Sequence, residues 1–187
     1  MKSYRIAAIP ADGIGPEVIA AGLQALEALE KRDGGFRLDV TSFDWGSDYY
    51  RRTGKMMPED GPAQLKPFDA IFFGAVGAPD VPDHITLWGL RLPICQGFDQ
   101  YANVRPTRIL PGVPSPLANV GPGDLDWVIV RENSEGEYAG IGGRVHQGSP
   151  LEAATDVAMF TRTGVERIMR DRVDGVTAVV NVAEAAA

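Results

Sequence analysis

The first strand-to-helix turn constrains the fold more than any other feature of the chain. Tyr4-Arg5-Ile6-Ala7-Ala8-Ile9 is a short apolar run bounded by Pro10, which predicts a buried strand. Ala11-Asp12-Gly13-Ile14-Gly15-Pro16-Glu17 follows directly. Pro16 suits the first helical position, where a missing N–H goes unnoticed, and Glu17 complements the helix dipole. Val18, Ile19, Gly22, Leu23, Leu26 and Leu29 recur at three- and four-residue spacing, predicting an amphipathic helix over 16–31 that Asp33-Gly34-Gly35 stops.

The pattern then repeats. Phe36, Leu38 and Val40 alternate with polar residues, as a half-exposed strand does. Residues 46–53 predict a short helix ended by Gly54. A second helix is expected from Pro58 to Leu65, with Gly61-Pro62 as an interruption. Asp69-Ala70-Ile71-Phe72-Phe73-Gly74 predicts a buried strand that ends in the turn Ala75-Val76-Gly77-Ala78-Pro79. Strand, helix, strand, helices, strand is the order of a doubly wound α/β sheet.

From about residue 100 the character changes, so we expect a first domain over 1–100 and a partial second domain over 101–187. Ala102-Asn103-Val104-Arg105-Pro106 reads as extended and leads into a Pro-rich connection through Pro116. Leu125–Val130 predicts a strong strand. Glu137–Gln147 and Glu152–Arg162 read as two extended segments. Thr163-Gly164-Val165-Glu166 has the capping-box pattern and predicts the start of a helix bearing Ile168 and Met169. Val176–Val182 is one more possible strand, before an alanine-rich end.

Composition narrows the function. The 187 residues carry a net charge of −7, which argues against general binding of a phosphate backbone and so against nucleic acid. A single cysteine, Cys95, rules out a disulfide within the chain. The N-terminus has no secretory signal, and no apolar run is long enough to span a membrane. A cytoplasmic α/β protein is the expectation. Gly (22) and Pro (14) fall within and between apolar segments, so they read as structured turns. The lysines are Lys2, Lys31, Lys55 and Lys66, with none beyond.

Three segments have residue types suited to chemistry. Gly13-x-Gly15 sits where a turn would cradle a phosphate, or is simply a tight strand-to-helix turn. Its third fingerprint glycine is missing. In Val130-Arg131-Glu132-Asn133-Ser134-Glu135-Gly136-Glu137-Tyr138, an arginine ends a buried strand. It is either a planar fork for a carboxylate or one half of a surface ion pair. Tyr138 is a possible proton relay. In Asn103-Val104-Arg105-Pro106-Thr107-Arg108, Arg105 either clamps the same anion or is solvated. His84 and His146 have no neighbour at metal-ligand spacing, and Cys95 has no adjacent base, so no metal site is expected.

Taken in order, Ile9–Glu17, Gly74–Pro79, Asn103–Pro106 and Val130–Tyr138 resemble the NAD(P)-dependent β-decarboxylating dehydrogenases of the isocitrate and isopropylmalate type. Val81-Pro82-Asp83-His84-Ile85-Thr86-Leu87-Trp88-Gly89, with Phe98-Asp99-Gln100-Tyr101, is most similar to the tartrate/D-malate branch. The resemblance implies oxidation of a small 2-hydroxy diacid by hydride transfer to NAD, then loss of carbon dioxide with help from Mg²⁺ or Mn²⁺. It implies Arg105 and Arg131 as carboxylate clamps and Tyr138 as the residue that protonates the enol. Ile14, Ala75, Val76 and Gly77 would lie at the cofactor. Residues 137–162 would form an arm through which two subunits dimerise.

Two departures are visible. The family has another substrate arginine ten residues before Arg105, where this chain has Cys95; Arg91 lies one helical turn earlier. Family chains are also roughly twice as long, and their catalytic lysine and metal-binding aspartates have no counterpart here. Asp171 and Asp174 stand in the wrong context to be ligands. The chain therefore reads as the N-terminal half of the family fold, inactive alone. The alternative is a non-catalytic fragment that acts as a self-association module.

Overall fold

Strand β1 (Lys2–Ala11) lies between β2 (Phe36–Ser42) and β3 (Ala70–Ala75) in a parallel sheet. The structure, a computed structural model, describes residues 1–170 and 178–179. Ala7, Ala8 and Ile9 are fully buried, as a central parallel strand requires. The strand outruns the apolar segment that predicts it and passes through Pro10. Ala8 is the last β1 residue paired with β2, and its carbonyl accepts from the Phe43 N–H at 2.8 Å. Two residues on, Pro10 faces a side that β2 has already left, so its missing N–H breaks no ladder bond.

Helix α1 (Gly15–Asp33) buries Ile19 and sets Gly22 against β3. A Cβ on Gly22 would lie 2.5 Å from the Phe72 ring, so glycine is what lets helix and sheet meet. Gly34, at φ +69°, closes α1 by donating its N–H to the Glu30 carbonyl. After β2 come α2 (Ser47–Thr53) and α3 (Gly61–Leu65). The second predicted helix begins later than Pro58. Pro58–Gly61 is a turn, and Pro62 sits in the first turn of α3, where it initiates the helix instead of interrupting it.

The sequence pattern assigned no element to residues 83–97, yet they form a continuous helix. It comprises α4 (Asp83–Thr86), a π-helical turn (Leu87–Arg91) and α5 (Leu92–Gly97). Leu90, Leu92 and Ile94 are buried, so the extra residue in the π turn still keeps an apolar face on the core.

The chain divides into two compact units, Met1–Gly97 and Phe98–Ala187. In the second, β4 (Ala102–Arg108) pairs antiparallel with β5 (Asp126–Glu132), and β5 pairs parallel with β8 (Ala178–Val179). β6 (Gly136–Val145) and β7 (Ala153–Met159) make a two-stranded antiparallel arm. Helix α6 (Arg162–Arg170) packs on β5; Val130 and Ile168 are both fully buried. The rest of the strand expected at 176–182, together with Asp171, Asp174 and the alanine-rich end, lies outside the described residues.

The cap of α6 differs from the expected one. Thr161, not Thr163, precedes the helix, and its Oγ1 accepts from the Gly164 N–H at 3.0 Å. Glu135 completes the cap from 26 residues away, accepting from Thr161 N–H at 2.8 Å and from Thr161 Oγ1 at 2.6 Å. Glu166, expected in the box, instead pairs along the helix with Arg162 and Arg170.

Candidate functional site

In the first unit the chemistry-bearing turns meet at the carboxyl ends of β1 and β3. The chain passes from β1 to β2 on one side and then crosses to β3 on the other, and such a reversal of strand order is where open α/β sheets bind ligands. The turn is tight. A Cβ on Gly15 would lie 2.0 Å from the Pro10 carbonyl oxygen, and one on Gly74 would lie 2.3 Å from the same atom. Gly13 has φ +54° and Ala11 φ +55°, the latter an uncommon value for a residue with a side chain. Steric need alone accounts for both glycines of Gly13-x-Gly15.

Asp12 ties this corner together, a role that sequence reasoning missed. Its side chain is buried. Oδ1 accepts from Ser47 N–H at 2.7 Å, and Oδ2 accepts from Ser47 Oγ at 2.7 Å and Gly77 N–H at 2.9 Å. One carboxylate thus joins the first turn, the start of α2 and the turn after β3. The amide of Gly77, expected at the cofactor, is already engaged. Ile14 is exposed at the mouth of the turn, and Ala75 and Val76 are half-buried beside it. Asp12→Asn should cost about 1–3 kcal/mol of stability, since each donor loses a charged acceptor. A drop in the urea midpoint checks it; an unchanged midpoint would deny Asp12 this role.

The neighbouring charges are committed to each other. Arg51 forms a two-pronged contact with Asp80, at 2.9 and 2.6 Å, and pairs with Asp48. The Arg51 hydrogen bond holds the Asp80 carboxyl below the ordinary carboxylate range. Arg52 pairs with Asp44 at 2.6 Å. Arg51, Arg52, Asp44 and Asp48 line an open cleft of about 840 Å³ with Phe43 and Trp45. Arg91 ends the π turn, and Cys95 follows one turn later in α5; both are half-buried.

In the second unit, β4 and β5 bring the two predicted arginines to one face. Asn103 lies opposite Arg131, and Arg105 opposite Ile129. Side chains two apart on a strand share a face, so Arg105 and Arg131 are diagonal neighbours there. Arg131 is mostly buried and Arg105 exposed. Arg131 Nη2 donates to Tyr138 Oη at 2.9 Å and to Glu137 Oε1 at 2.6 Å. Its guanidinium also stands 5.2 Å from the centre of the Tyr138 ring. Of the two readings of Arg131, the contact present is the ion pair, made to Glu137 through one guanidinium nitrogen.

Glu132 orders the loop between Arg131 and Tyr138. It is buried and accepts from Ser134 N–H (2.9 Å), Ser134 Oγ (2.6 Å) and Glu135 N–H (2.6 Å). Arg167 from α6 sits 3.5 Å from Glu132, donates to Ser134 Oγ at 2.8 Å and Asp99 at 3.0 Å, and stacks over Tyr101. Asn133 donates its backbone N–H to the Tyr101 carbonyl and its side-chain amide to that of Gln100. Glu132 was visible only as one acid in a motif, and nothing in the sequence marked Arg167.

The family model for isocitrate/isopropylmalate dehydrogenase matches residues 5–178. The chain belongs to the isocitrate/isopropylmalate dehydrogenase family. Among relatives, a probable tartrate dehydrogenase/decarboxylase of Agrobacterium vitis is 77% identical over 170 residues, covering 91% of this chain and 48% of its own length. The D-malate dehydrogenase (decarboxylating) of Escherichia coli is 55% identical over 172 residues, with 91% and 47% covered. The chain thus spans about half the length of the curated relatives it matches. The isocitrate dehydrogenase of Methylococcus capsulatus superposes with a TM-score of 0.70 at 29% identity, over 89% of this chain and 45% of that one. As a member of the isocitrate/isopropylmalate dehydrogenase family, the chain has the expected α/β fold, represented in part.

No helix among the described residues is long and apolar enough to cross a membrane. The described residues also contain no group of three metal-ligating side chains. The donor groups among the described residues thus do not fit a divalent metal.

Proposed function

We propose that this chain supplies the carboxylate clamp and the proton donor of an NAD-dependent oxidative decarboxylation of a small 2-hydroxy diacid of the D-malate or tartrate class. The observation that carries the reading is the contact of Arg131 with both a carboxylate and the Tyr138 hydroxyl, on the sheet face that Arg105 shares. A guanidinium that holds the carboxylate of the diacid at this face keeps the Tyr138 Oη–H beside it. Once the diacid has lost hydride and carbon dioxide, that hydroxyl is placed to protonate the remaining enol. Bound NAD would supply the hydride acceptor, with Ile14 and the Ala75–Gly77 turn beside the nicotinamide.

The arm adds a subunit contact to the proposal. Ile141 lies opposite Val157, and Val145 opposite Ala153, so one face of the hairpin is apolar; Ile141, Val145, Val157 and Met159 are all exposed. A second copy laid on residues 137–162 would cover that face and give a homodimer. The competing reading, a self-association module without chemistry, rests on the same exposed face.

The two are separated by one set of measurements on the purified chain. We expect millimolar or tighter binding of D-malate or tartrate by calorimetry, and no NADH formation with Mn²⁺ or Mg²⁺. The hydroxyl needs a base, and the chain carries no lysine after Lys66. Diacid binding that Arg131→Ala abolishes supports the clamp. A stable dimer that binds neither diacid supports the module. NADH formation that disappears in Tyr138→Phe would show that another residue here serves as the base.

A further inference from the structure

The proposed clamp already holds a carboxylate. Three acids line the cavity of about 220 Å³ beside Arg131, which Tyr138, Ala158 and Phe160 also border. Two of them are committed elsewhere. Glu132 accepts from the Ser134 and Glu135 amides, and Glu135 accepts from Thr161 at the cap of α6. Glu137 is different: it pairs with Arg131 Nη2, at 2.6 Å. The Glu137 side chain is 57% exposed, whereas that of Arg131 is 22% exposed. The acid can therefore swing into water at little cost, while the half-desolvated cation depends on whatever partner faces it. Successive side chains of a regular strand point to opposite faces. Between Gly136 and Ile141 the register of β6 against β7 shifts, and Glu137 and Tyr138 both reach the same guanidinium nitrogen.

We propose that Glu137 is an internal stand-in for a ligand carboxylate: it occupies Arg131 in the free protein and is displaced when a carboxylate ligand binds. This rests on the reading of Arg131 as the carboxylate clamp. The contact keeps the cation paired and next to Tyr138 when no ligand is present. Its consequence is a reduced apparent affinity, because only the fraction of molecules with Glu137 swung out is competent to bind. Because the acid is more than half exposed, that reduction is about two- to fivefold.

The test uses the whole 187-residue chain with D-malate as the probe. Glu137→Gln keeps the shape and removes the charge; Glu137→Ala removes the side chain and serves as a second variant should the first fold poorly. Both should bind D-malate about two- to fivefold more tightly than the unaltered chain with unchanged thermal midpoints, a gain that loss of a merely structural contact would not produce. A measurement without ligand runs alongside. Labelling of Arg131 by phenylglyoxal, read peptide by peptide in a mass spectrometer, should accelerate in both variants. Unchanged labelling overturns the occupancy of Arg131 by Glu137. Faster labelling with equal D-malate affinity, and binding still lost in Arg131→Ala, overturns the competition while leaving the clamp standing. Faster labelling with no D-malate binding in any variant overturns the clamp, and the competition falls with it.

Discussion

Glu132→Ala is expected to lower the stability of the second unit by about 3–5 kcal/mol, the usual cost of removing one partner from a buried charged network. Glu132 is almost wholly buried, and its carboxylate takes three hydrogen bonds from Ser134 and Glu135. Without it, two backbone donors and the Ser134 hydroxyl lose their acceptor. Arg167, whose Nε is already buried without a hydrogen-bond partner, loses a counter-charge as well. Hydrogen exchange resolved by peptide is the suitable readout, because it separates the units. Amides of residues 132–135 and of α6 should lose protection, while those of β1 and β3 keep theirs. Glu132→Gln should recover part of the loss by retaining one acceptor oxygen. A destabilisation below about 1 kcal/mol would mean that water replaces the carboxylate.

Arg131→Ala should weaken diacid binding by about 2–5 kcal/mol, roughly thirtyfold to several thousandfold. The arginine is mostly buried on the sheet face, so its charge acts in a medium that screens less than water does. Removing it also leaves Glu137 facing the ligand as a like charge. Arg131→Lys should restore only part of the affinity, because an ammonium cannot present two parallel donors to a carboxylate. Arg105→Ala, at an exposed position on the same face, should cost less, about 1 kcal/mol. A loss below threefold in Arg131→Ala would remove that residue from the site.

Elements whose causes are local were legible in the sequence. The apolar run before Pro10, the spacing of Ile19 and Leu23 and the αL glycine at Gly34 each act within a few residues, and β1 and α1 formed over those signals, although β1 runs on through Pro10. The ordered motifs likewise carried the family, because residue types in sequence order survive without a structure. What the tertiary structure decided was every partnership across distance. Asp12 reaches Ser47 and Gly77, 35 and 65 residues on. Glu135 completes the cap at Thr161, so the box read from Thr163 and Glu166 is not used. Arg105 and Arg131 share a face only because the β4–β5 register sets Asn103 against Arg131. Arg167 meets Glu132 only because α6 lies on β5. The physical reason is the range of the forces: backbone preference and periodicity act along the chain, whereas a buried carboxylate is satisfied by whichever donors the folded chain brings to it.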